Sequence, residues 1–324
     1  MRLRRRAVLA GLLLAPALRP PVAAHADGPG LLVELFRVAV GGEPLGLARR
    51  PDGALLVVAA AGRRLSLIDP ASGAELRRLD LTAHGRLNRV VAAPEAIYVT
   101  ASAAGLVLVI DPDLAAVRAT VRVGGFPQGM ALHGGALFVA NTADGTLSVI
   151  DRATLAVTGT VDVGERPQEL AVDADHGRLL VLQTTTRSLA VVDLDGPRRR
   201  SVWRSEELVR PAGLALTGDG GALVADAGAQ ALVLFDADGR VRRRLPLPVD
   251  VVTPMALALS PDSGRVAVAG RDGSISILHL EGDGATRQAV GRDLRAVLFA
   301  PDGRIFATSF GDGTLIGLAD RPPG

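Results

Sequence analysis

Short apolar runs alternate with clusters of Gly, Pro and Asp along most of the chain. The stretch "LFVANTADGTLSVID", Leu137 to Asp151, shows the pattern, because two apolar runs enclose an oxygen-rich turn. Runs of this length, rich in Val, Leu, Ile and Ala, predict β-strands and leave no room for helices. Asn141, Thr142 and Asp144 in that turn either form a site or only connect two strands.

The end of this stretch is one of seven similar runs at regular spacing. The repeated run closes at Asp69, Asp111, Asp151, Asp193, Asp236, His279 and Ala319, at spacings of 40 to 43 residues. Each period holds four predicted strands, and four strands per ~40 to 45 residues are typical of one β-propeller blade. The clearest period places strand a at 129–132, b at 137–140, c at 146–150 and d at 156–163.

Motifs inside the periods support a family resemblance. "VGGFPQG" at 123–129 recurs as "VGERPQE" at 163–169, and "VANTADGTLSVID" occupies 139–151. On these motifs the chain resembles the YVTN-family repeat proteins, also called the YncE-like or lactonase-like group. The resemblance covers essentially everything after the first 26 residues. It implies an all-β, seven-bladed β-propeller over residues 27–324, with four antiparallel strands in each blade.

The two ends of the predicted propeller complement each other. Residues 34–44 match the fourth strand of a repeat, whereas the seventh repeat stops after its third strand near Leu318. We therefore expect the strand Glu34–Val40 to pair with Thr314–Leu318 and to complete the last blade. Such closure removes a free sheet edge.

The first 26 residues read as a signal peptide. Arg2, Arg4, Arg5 and Arg6 precede an apolar run that ends at Leu18, and small residues follow it. The run is shorter than the ~20 residues of a membrane span, so an uncleaved anchor is the less favoured alternative. "RRAVL" at 5–9 resembles a twin-arginine export signal, with ordinary secretion left open. The expectation is cleavage after residue 26 and export to the periplasm or the medium.

Removal of the leader changes the charge balance. Without its five arginines the chain has 31 basic and 34 acidic residues, a net charge of −3. This balance, and aromatic residues at 3% of the chain, give no basic face or stacking platform for nucleic acid. The chain has no cysteine, which excludes disulfides, thiolate-bound metals and c-type haem attachment. We expect no cofactor and a monomer.

The predicted blades divide the loops between two faces of the propeller. Loops d–a and b–c lie beside the mouth of the central channel, while the "PDG" turns and the Asp residues after strand c lie on the opposite face. Recurrence at several blades favours a turn-forming role for those aspartates. Asp144-Gly145 recurs as Asp272-Gly273 and Asp312-Gly313, so it too is first a hairpin turn.

A site is expected where the channel-mouth residues depart from the repeat. The residues that open strand a are polar in blades two, three, four and seven, and the ends of strand b add further polar groups. As a group they form the default ligand site of this fold. The candidates for ligand binding are Asn88, Arg89, Gln128, Asn141, Gln168, Glu169, Gln183, Asp226, Arg271 and Arg295. No metal site is expected from the five histidines.

Two functions remain open from the sequence. The first is an exported binding protein that recognises a small molecule or a periplasmic protein at the channel mouth, with a role beside a periplasmic redox system as one version by analogy. The second, implied by the lactonases of the resembled group, is a hydrolase. In that case Glu169 acts as base, Arg295 or Arg89 as oxyanion partner and His84 as auxiliary acid.

Overall fold

Seven four-stranded antiparallel sheets make up the computed structural model, which describes residues 32–196, 198–248, 253–282 and 284–320. Each sheet contains four strands that are hydrogen-bonded in the order a to d. The predicted all-β, seven-bladed propeller is therefore confirmed. The predicted signal peptide lies outside the described residues.

The strands follow the predicted periods closely. The first strand, β1 (Leu32–Ala39), belongs to blade seven. Blades one to four contain β2 (Pro44–Arg49), β3 (Leu55–Ala59), β4 (Arg64–Ile68), β5 (Glu75–Asp80), β6 (Leu87–Ala92), β7 (Ile97–Ala101), β8 (Leu106–Ile110), β9 (Val117–Arg122), β10 (Pro127–His133), β11 (Ala136–Asn141), β12 (Thr146–Asp151), β13 (Val157–Asp162), β14 (Pro167–Asp173), β15 (Arg178–Gln183), β16 (Ser188–Asp193) and β17 (Arg199–Arg204). Blades five to seven contain β18 (Pro211–Leu216), β19 (Ala222–Asp226), β20 (Ala231–Phe235), β21 (Val241–Pro246), β22 (Pro254–Leu259), β23 (Arg265–Gly270), β24 (Ser274–His279), β25 (Ala285–Ala289), β26 (Leu294–Phe299), β27 (Ile305–Ser309) and β28 (Thr314–Asp320). Within the described ranges the helical elements are two 3-10 turns, Thr82–His84 and Ser102–Ala104, and neither is long enough to cross a membrane.

The core is divided among the seven interfaces between blades. Seven apolar clusters occur in the described part of the chain, and each joins the middle strands of two adjacent blades. Strands b and c are buried along almost their whole length, as in β15 and β16. A buried Leu, Val or Ile contributes about 1.5–3 kcal/mol. Packing between blades therefore stabilises this cysteine-free chain.

The N-terminal strand closes the ring as predicted. Strand β1 pairs with β28, with Glu34 opposite Leu318 and Ala39 opposite Thr314. Phe36 of β1 packs against Phe306, with 6.0 Å between ring centroids. The Gln288 side chain in blade six accepts a bond from the Leu32 N–H (2.8 Å) and donates one to the Leu32 carbonyl (2.9 Å). Val40, the residue after β1, belongs to the apolar cluster shared with blade one, so the last blade is attached to both of its neighbours.

The aspartates after strand c form turns, as the sequence predicts. The Asp151 carboxylate accepts the N–H groups of Ala153 (3.0 Å) and Thr154 (2.7 Å). Asp69 accepts the N–H groups of Ala71 and Ser72 in the same way. These bonds favour the ionised form. The hydrogen bond from the Thr154 N–H is the largest cause that lowers the pKa of Asp151, and the Ser72 hydroxyl is the largest for Asp69.

We expect the free energy of unfolding to fall as the pH is lowered below about 4. A lowered pKa in the folded state gives stability that is present above the unfolded value of 3.8 and lost as the pH falls through the folded value. Thermal unfolding curves between pH 6 and pH 2.5 measure this loss. Asp151→Asn should show a shallower loss than the wild type. Equal slopes for the two proteins would contradict the turn role.

Candidate functional site

The seven first strands line a central channel, and each is bulged at its beginning. The register between strands a and b shifts near the first residues of strand a in all seven blades. A bulge places two residues opposite one and redirects a side chain. The bulge therefore determines which side chains face the channel mouth.

One position in the bulge separates two blades from the other five. The third residue of strand a is Gly46, Arg89, Gly129, Glu169, Gly213, Ala256 or Ala296 in blades one to seven. Five blades thus carry Gly or Ala there, while blades two and four carry long charged side chains. Gly129 between them is required by close approach, because a Cβ on it would lie 2.1 Å from the carbonyl oxygen of Gln168.

Arg89 and Glu169 form an ion pair that spans blade three. Arg89 Nη2 lies 2.5 Å from Glu169 Oε1, and Arg89 Nη1 donates to Asn88 Oδ1 at 3.0 Å. Both charged side chains are about a quarter exposed. The buried Thr100 hydroxyl accepts the Arg89 N–H at 2.9 Å and fixes the bulge from behind. The pair is accessible from the channel and is held in place by the backbone.

A second guanidinium faces the same channel from blade seven. Arg295 Nη2 donates to Asp293 Oδ2 at 2.7 Å, and the Arg295 Cζ lies 4.7 Å from the centroid of the Phe310 ring. The Arg295 Nε and the Asp293 Oδ1 are buried and have no hydrogen-bond partner. The Arg295 guanidinium is therefore positioned by one carboxylate and one aromatic ring, and some of its N–H groups have no hydrogen-bond partner.

These charged groups border a small cavity at the channel mouth. The cavity has a volume of about 200 Å³. Its polar groups are Arg89, Glu169 and Arg295, and the other lining residues are apolar or Gly. They are Leu45, Leu47, Val90, Val91, Gly129, Met130, Gly213, Leu214, Met255, Ala256, Leu257, Ala296 and Val297. Three of the ten sequence candidates are thus brought together in one cavity.

Three other candidates bond to the chain itself. Asn141 accepts the Gly124 N–H and donates to the hydroxyls of Thr146 and Ser148. Gln183 donates to the Val163 carbonyl and accepts from Ser188. Asp226 is fully buried and accepts four backbone N–H groups, those of Val209, Arg210, Gly228 and Ala229. The polar atoms of these three side chains hold neighbouring loops together.

The remaining candidates lie near the channel mouth without lining the cavity. Gln128 and Gln168 are half-buried at the bulges of blades three and four, beside the Arg89–Glu169 pair. Arg271 is exposed, and its backbone N–H donates to the Thr253 carbonyl. His84 lies in the 3-10 turn before blade two and is not among the residues that line the cavity. Of the groups in the hydrolase hypothesis, Glu169 and the two arginines line the cavity, and His84 does not.

The oxygen-rich turn between β11 and β12 connects loops. Asp144 Oδ2 accepts the Gly125 N–H at 2.6 Å, and the buried Thr142 hydroxyl donates to the Pro167 carbonyl at 2.7 Å. Ser102 donates to the Pro127 carbonyl in the same way one blade earlier. Thr142 and Ser102 thus attach the b–c loop of one blade to the start of the next blade, while Asp144 attaches its loop to the start of its own blade.

Seven residues immediately before strand a form what we call the rim: Glu43, Arg86, Phe126, Arg166, Arg210, Thr253 and Asp293. In every blade the carbonyl oxygen of the rim residue accepts a backbone N–H from the b–c loop, at 2.9–3.4 Å. Sequence inspection did not single out the rim, although alignment on the following Pro or Leu reveals it. The rim surrounds the entrance to the cavity.

The donor set of the channel mouth does not fit a divalent cation. Glu169 is its single lining carboxylate and is already paired with Arg89. The part of the chain that the structure describes has no group of three or more His, Cys, Asp or Glu residues able to hold a metal. Ca²⁺ takes six to eight oxygen ligands and Mg²⁺ takes six.

A shallower hollow of about 270 Å³ lies at the edge of blade seven. It is bordered by Arg265, which pairs with Asp320, and by Arg304, which pairs with Asp302 at 2.8 Å. The Arg304 Cζ also lies 5.5 Å from the centroid of Phe306. Since each cation there already has a carboxylate partner and the hollow lies away from the channel, the smaller cavity at the channel mouth is the better candidate.

Comparison with known proteins places this geometry among propellers. The model of the SMP-30/gluconolactonase/LRE-like region matches residues 43–269. A chain of Kuenenia stuttgartiensis hydrazine synthase superposes with a TM-score of 0.75 at 16% identity, covering 85% of this chain and 95% of that one. A streptogramin B lyase gives 0.78 at 12% identity (90% and 98% covered), and virginiamycin B lyase from Staphylococcus aureus gives 0.76 at 11% identity (88% and 98% covered). No curated protein sequence matches the chain significantly. At these identities the structural likeness shows the fold alone.

Proposed function

Because the chain belongs to the SMP-30/gluconolactonase/LRE-like family, we propose that it is a propeller that binds a small molecule in the cavity at its channel mouth. The observation that carries the proposal is the ion pair between Arg89 and Glu169, at a position where the other five blades have Gly or Ala. Five blades fold with Gly or Ala at this position, so the two long charged side chains are not needed to close the propeller.

The lining of the cavity indicates the class of ligand. A volume of about 200 Å³ is below the roughly 300–1,000 Å³ of pockets for drug-sized ligands, so the ligand is compact. Arg89 and Arg295 each face a carboxylate, so a neutral ligand leaves the charges balanced. Each guanidinium has five N–H donors, and those left over suit a carbonyl oxygen. We therefore propose a compact, neutral carbonyl compound.

Export belongs to this proposal. On the basis of the predicted signal peptide, we propose that the mature protein meets its ligand in the periplasm or outside the cell. The finer assignment to the YVTN-type group rests on the repeat motifs and stays a prediction. So does the role beside a periplasmic redox system.

Binding should depend on the charged pair and not on the turn residues. Small lactones serve as probes for such a carbonyl compound. We expect Glu169→Gln and Arg295→Met to weaken the binding of a lactone at least tenfold, with little change in the unfolding midpoint. Asp144→Ala should instead cost about 1 kcal/mol of stability, through a lost hydrogen bond, and leave binding intact. Calorimetric titration with small lactones and a melting curve on the same variants test both expectations. Binding lost in Asp144→Ala and unchanged in Arg295→Met would reverse the assignment of turn and site.

A lactonase-like hydrolase is the second candidate, favoured by the family match and by a carboxylate that shares the cavity with two guanidiniums. In this reaction water adds to the ester carbonyl and the ring C–O bond breaks, which gives a hydroxy acid. Glu169 would take the proton from water and return it to the leaving oxygen, while Arg295 would stabilise the oxyanion. The same lactones serve as the test. Turnover that disappears in Glu169→Gln establishes hydrolysis, and binding without turnover excludes it for those compounds.

A further inference from the structure

One aromatic side chain in the described residues is more than a third exposed. Phe126 is 44% exposed, whereas the other aromatic side chains are buried or half-buried. It is also the one apolar residue of the rim, where the other six blades have charged residues or Thr. Phe126 therefore stands out in a chain whose aromatic residues otherwise serve the interior.

Folding does not explain a phenylalanine at this position. Phe126 has a φ of 53°, in the left-handed region that is unfavourable for a bulky side chain. The rim requires this conformation in several blades, because Glu43, Arg166, Thr253 and Asp293 have φ values of 50–60°. Asn or Gly would fit the backbone better and would expose less apolar surface. An exposed aromatic residue in such a place points to a contact outside the chain.

The rim residues next to Phe126 are arginines. Arg86 precedes it by one blade, and Arg166 and Arg210 follow in the next two blades. Arg86 is paired with Glu43 at 2.7 Å, while the exposed side chains of Arg166 and Arg210 make no ion pair with a described residue. Val209, beside Arg210, is 45% exposed. Arg and aromatic residues are the types enriched at the energetic centres of protein interfaces.

Acidic residues also occur in these loops, but they lie further from the channel along the chain. Glu165 is one residue before the rim, and Glu206 and Glu207 are three or four residues before it. Asp144 is occupied by the Gly125 N–H. The innermost positions of blades two to five therefore combine three cations with one apolar side chain.

We propose that the rim of blades two to five docks an acidic segment of a partner protein, with Phe126 as the apolar anchor and Arg166 and Arg210 as the charged contacts. The segment carries carboxylates on either side of an apolar residue. This inference goes beyond the proposed small-molecule function, because it uses the side chains of the rim and needs no ligand in the cavity.

A labelled peptide of alternating Glu and Leu residues is the probe, followed by fluorescence anisotropy with the full mature chain. We expect saturable binding that weakens as NaCl is raised. The double variant Arg166→Glu/Arg210→Glu should weaken it at least tenfold. Phe126→Asn should weaken it to a similar degree while keeping or raising the unfolding midpoint, because Asn tolerates the left-handed backbone.

Matched controls distinguish the rim from general surface effects. Leu76→Ser removes an exposed apolar side chain (59% exposed) on the outer strand β5, and Arg240→Glu reverses an exposed charge on the opposite face. Both should bind the peptide like the wild type. The proposal is overturned by absence of saturable binding, by equal binding of a Lys–Leu peptide, or by binding that survives both rim variants. Sedimentation that shows dimers of this chain lost in Phe126→Asn would overturn it in favour of self-association.

Discussion

Deletion of residues 27–40 is expected to unfold the protein or to make it aggregate at ordinary temperatures. The deletion removes β1, and with it the Leu32 and Val40 side chains, which are buried, and the contact of Phe36 with Phe306. At about 1.5–3 kcal/mol for each buried apolar side chain, the loss is roughly 5 kcal/mol or more. The free energy of unfolding of a whole domain is about 5–15 kcal/mol. The edge of β28 is also left open for pairing with other chains.

Thermal unfolding and light scattering on chains 27–324 and 41–324 measure this effect. A synthetic peptide of residues 27–42 added to the shortened chain should restore the missing strand and raise the midpoint. The same peptide with Phe36→Asp is the control and should not rescue. An unchanged midpoint in the shortened chain would show that the ring does not depend on β1.

Arg178→Met is expected to cost about 3–5 kcal/mol, because it leaves a buried carboxylate without its main partner. Arg178 Nε donates to Asp173 Oδ2 at 2.8 Å, and the other two nitrogens donate to the carbonyls of Ala237 and Gly220 in blade five. Its Cζ lies 5.0 Å from the Trp203 ring centroid. Burial is the largest effect on the Asp173 carboxyl and raises its pKa, but the bonds from His176 and Arg178 outweigh it and the pKa is lowered. The group thus joins blades four and five.

An Arg–Asp pair that is exposed on both sides provides the control. Arg240 donates to Asp238 at 2.7 Å, and the two side chains are 76% and 72% exposed. Arg240→Met should therefore change stability by less than about 1 kcal/mol. Urea unfolding of both variants compares them directly. The double variant Asp173→Leu/Arg178→Met should lose less than the two single losses added together, since it leaves no unpaired charge. Similar costs for Arg178→Met and Arg240→Met would contradict this account.

The fold could be predicted from the sequence because each blade repeats the same local signals. Spacing of the strand c ends gives the number of blades, and the incomplete seventh repeat identifies β1 as its missing strand. Strand bounds shift by at most two residues in the clearest period, where β10 is Pro127–His133 instead of 129–132. The two 3-10 turns were missed because three residues carry no periodic pattern.

The site could be predicted only in part. Arg89, Glu169 and Arg295 depart from the repeat, and all three line the cavity. The pairing of Arg89 with Glu169 across 80 residues depends on a glycine in the blade between them, which the sequence does not announce. Asn141 and Asp226 have residue types suited to either role. Their bonds to backbone N–H groups depend on loop geometry that sequence spacing does not give.

The backbone bond that each rim residue accepts separates scaffold from recognition. Since the carbonyl oxygen, and not the side chain, fixes the loop in every blade, rim side chains can be exchanged while the architecture persists. Glu43 and Arg86 pair with each other, and Asp293 pairs with Arg295 of the cavity. The other four rim positions can therefore vary one at a time around one entrance. Substitutions at these positions change the surface of one blade at a time, and the number of possible surfaces is the product of the numbers of residue types allowed at each position.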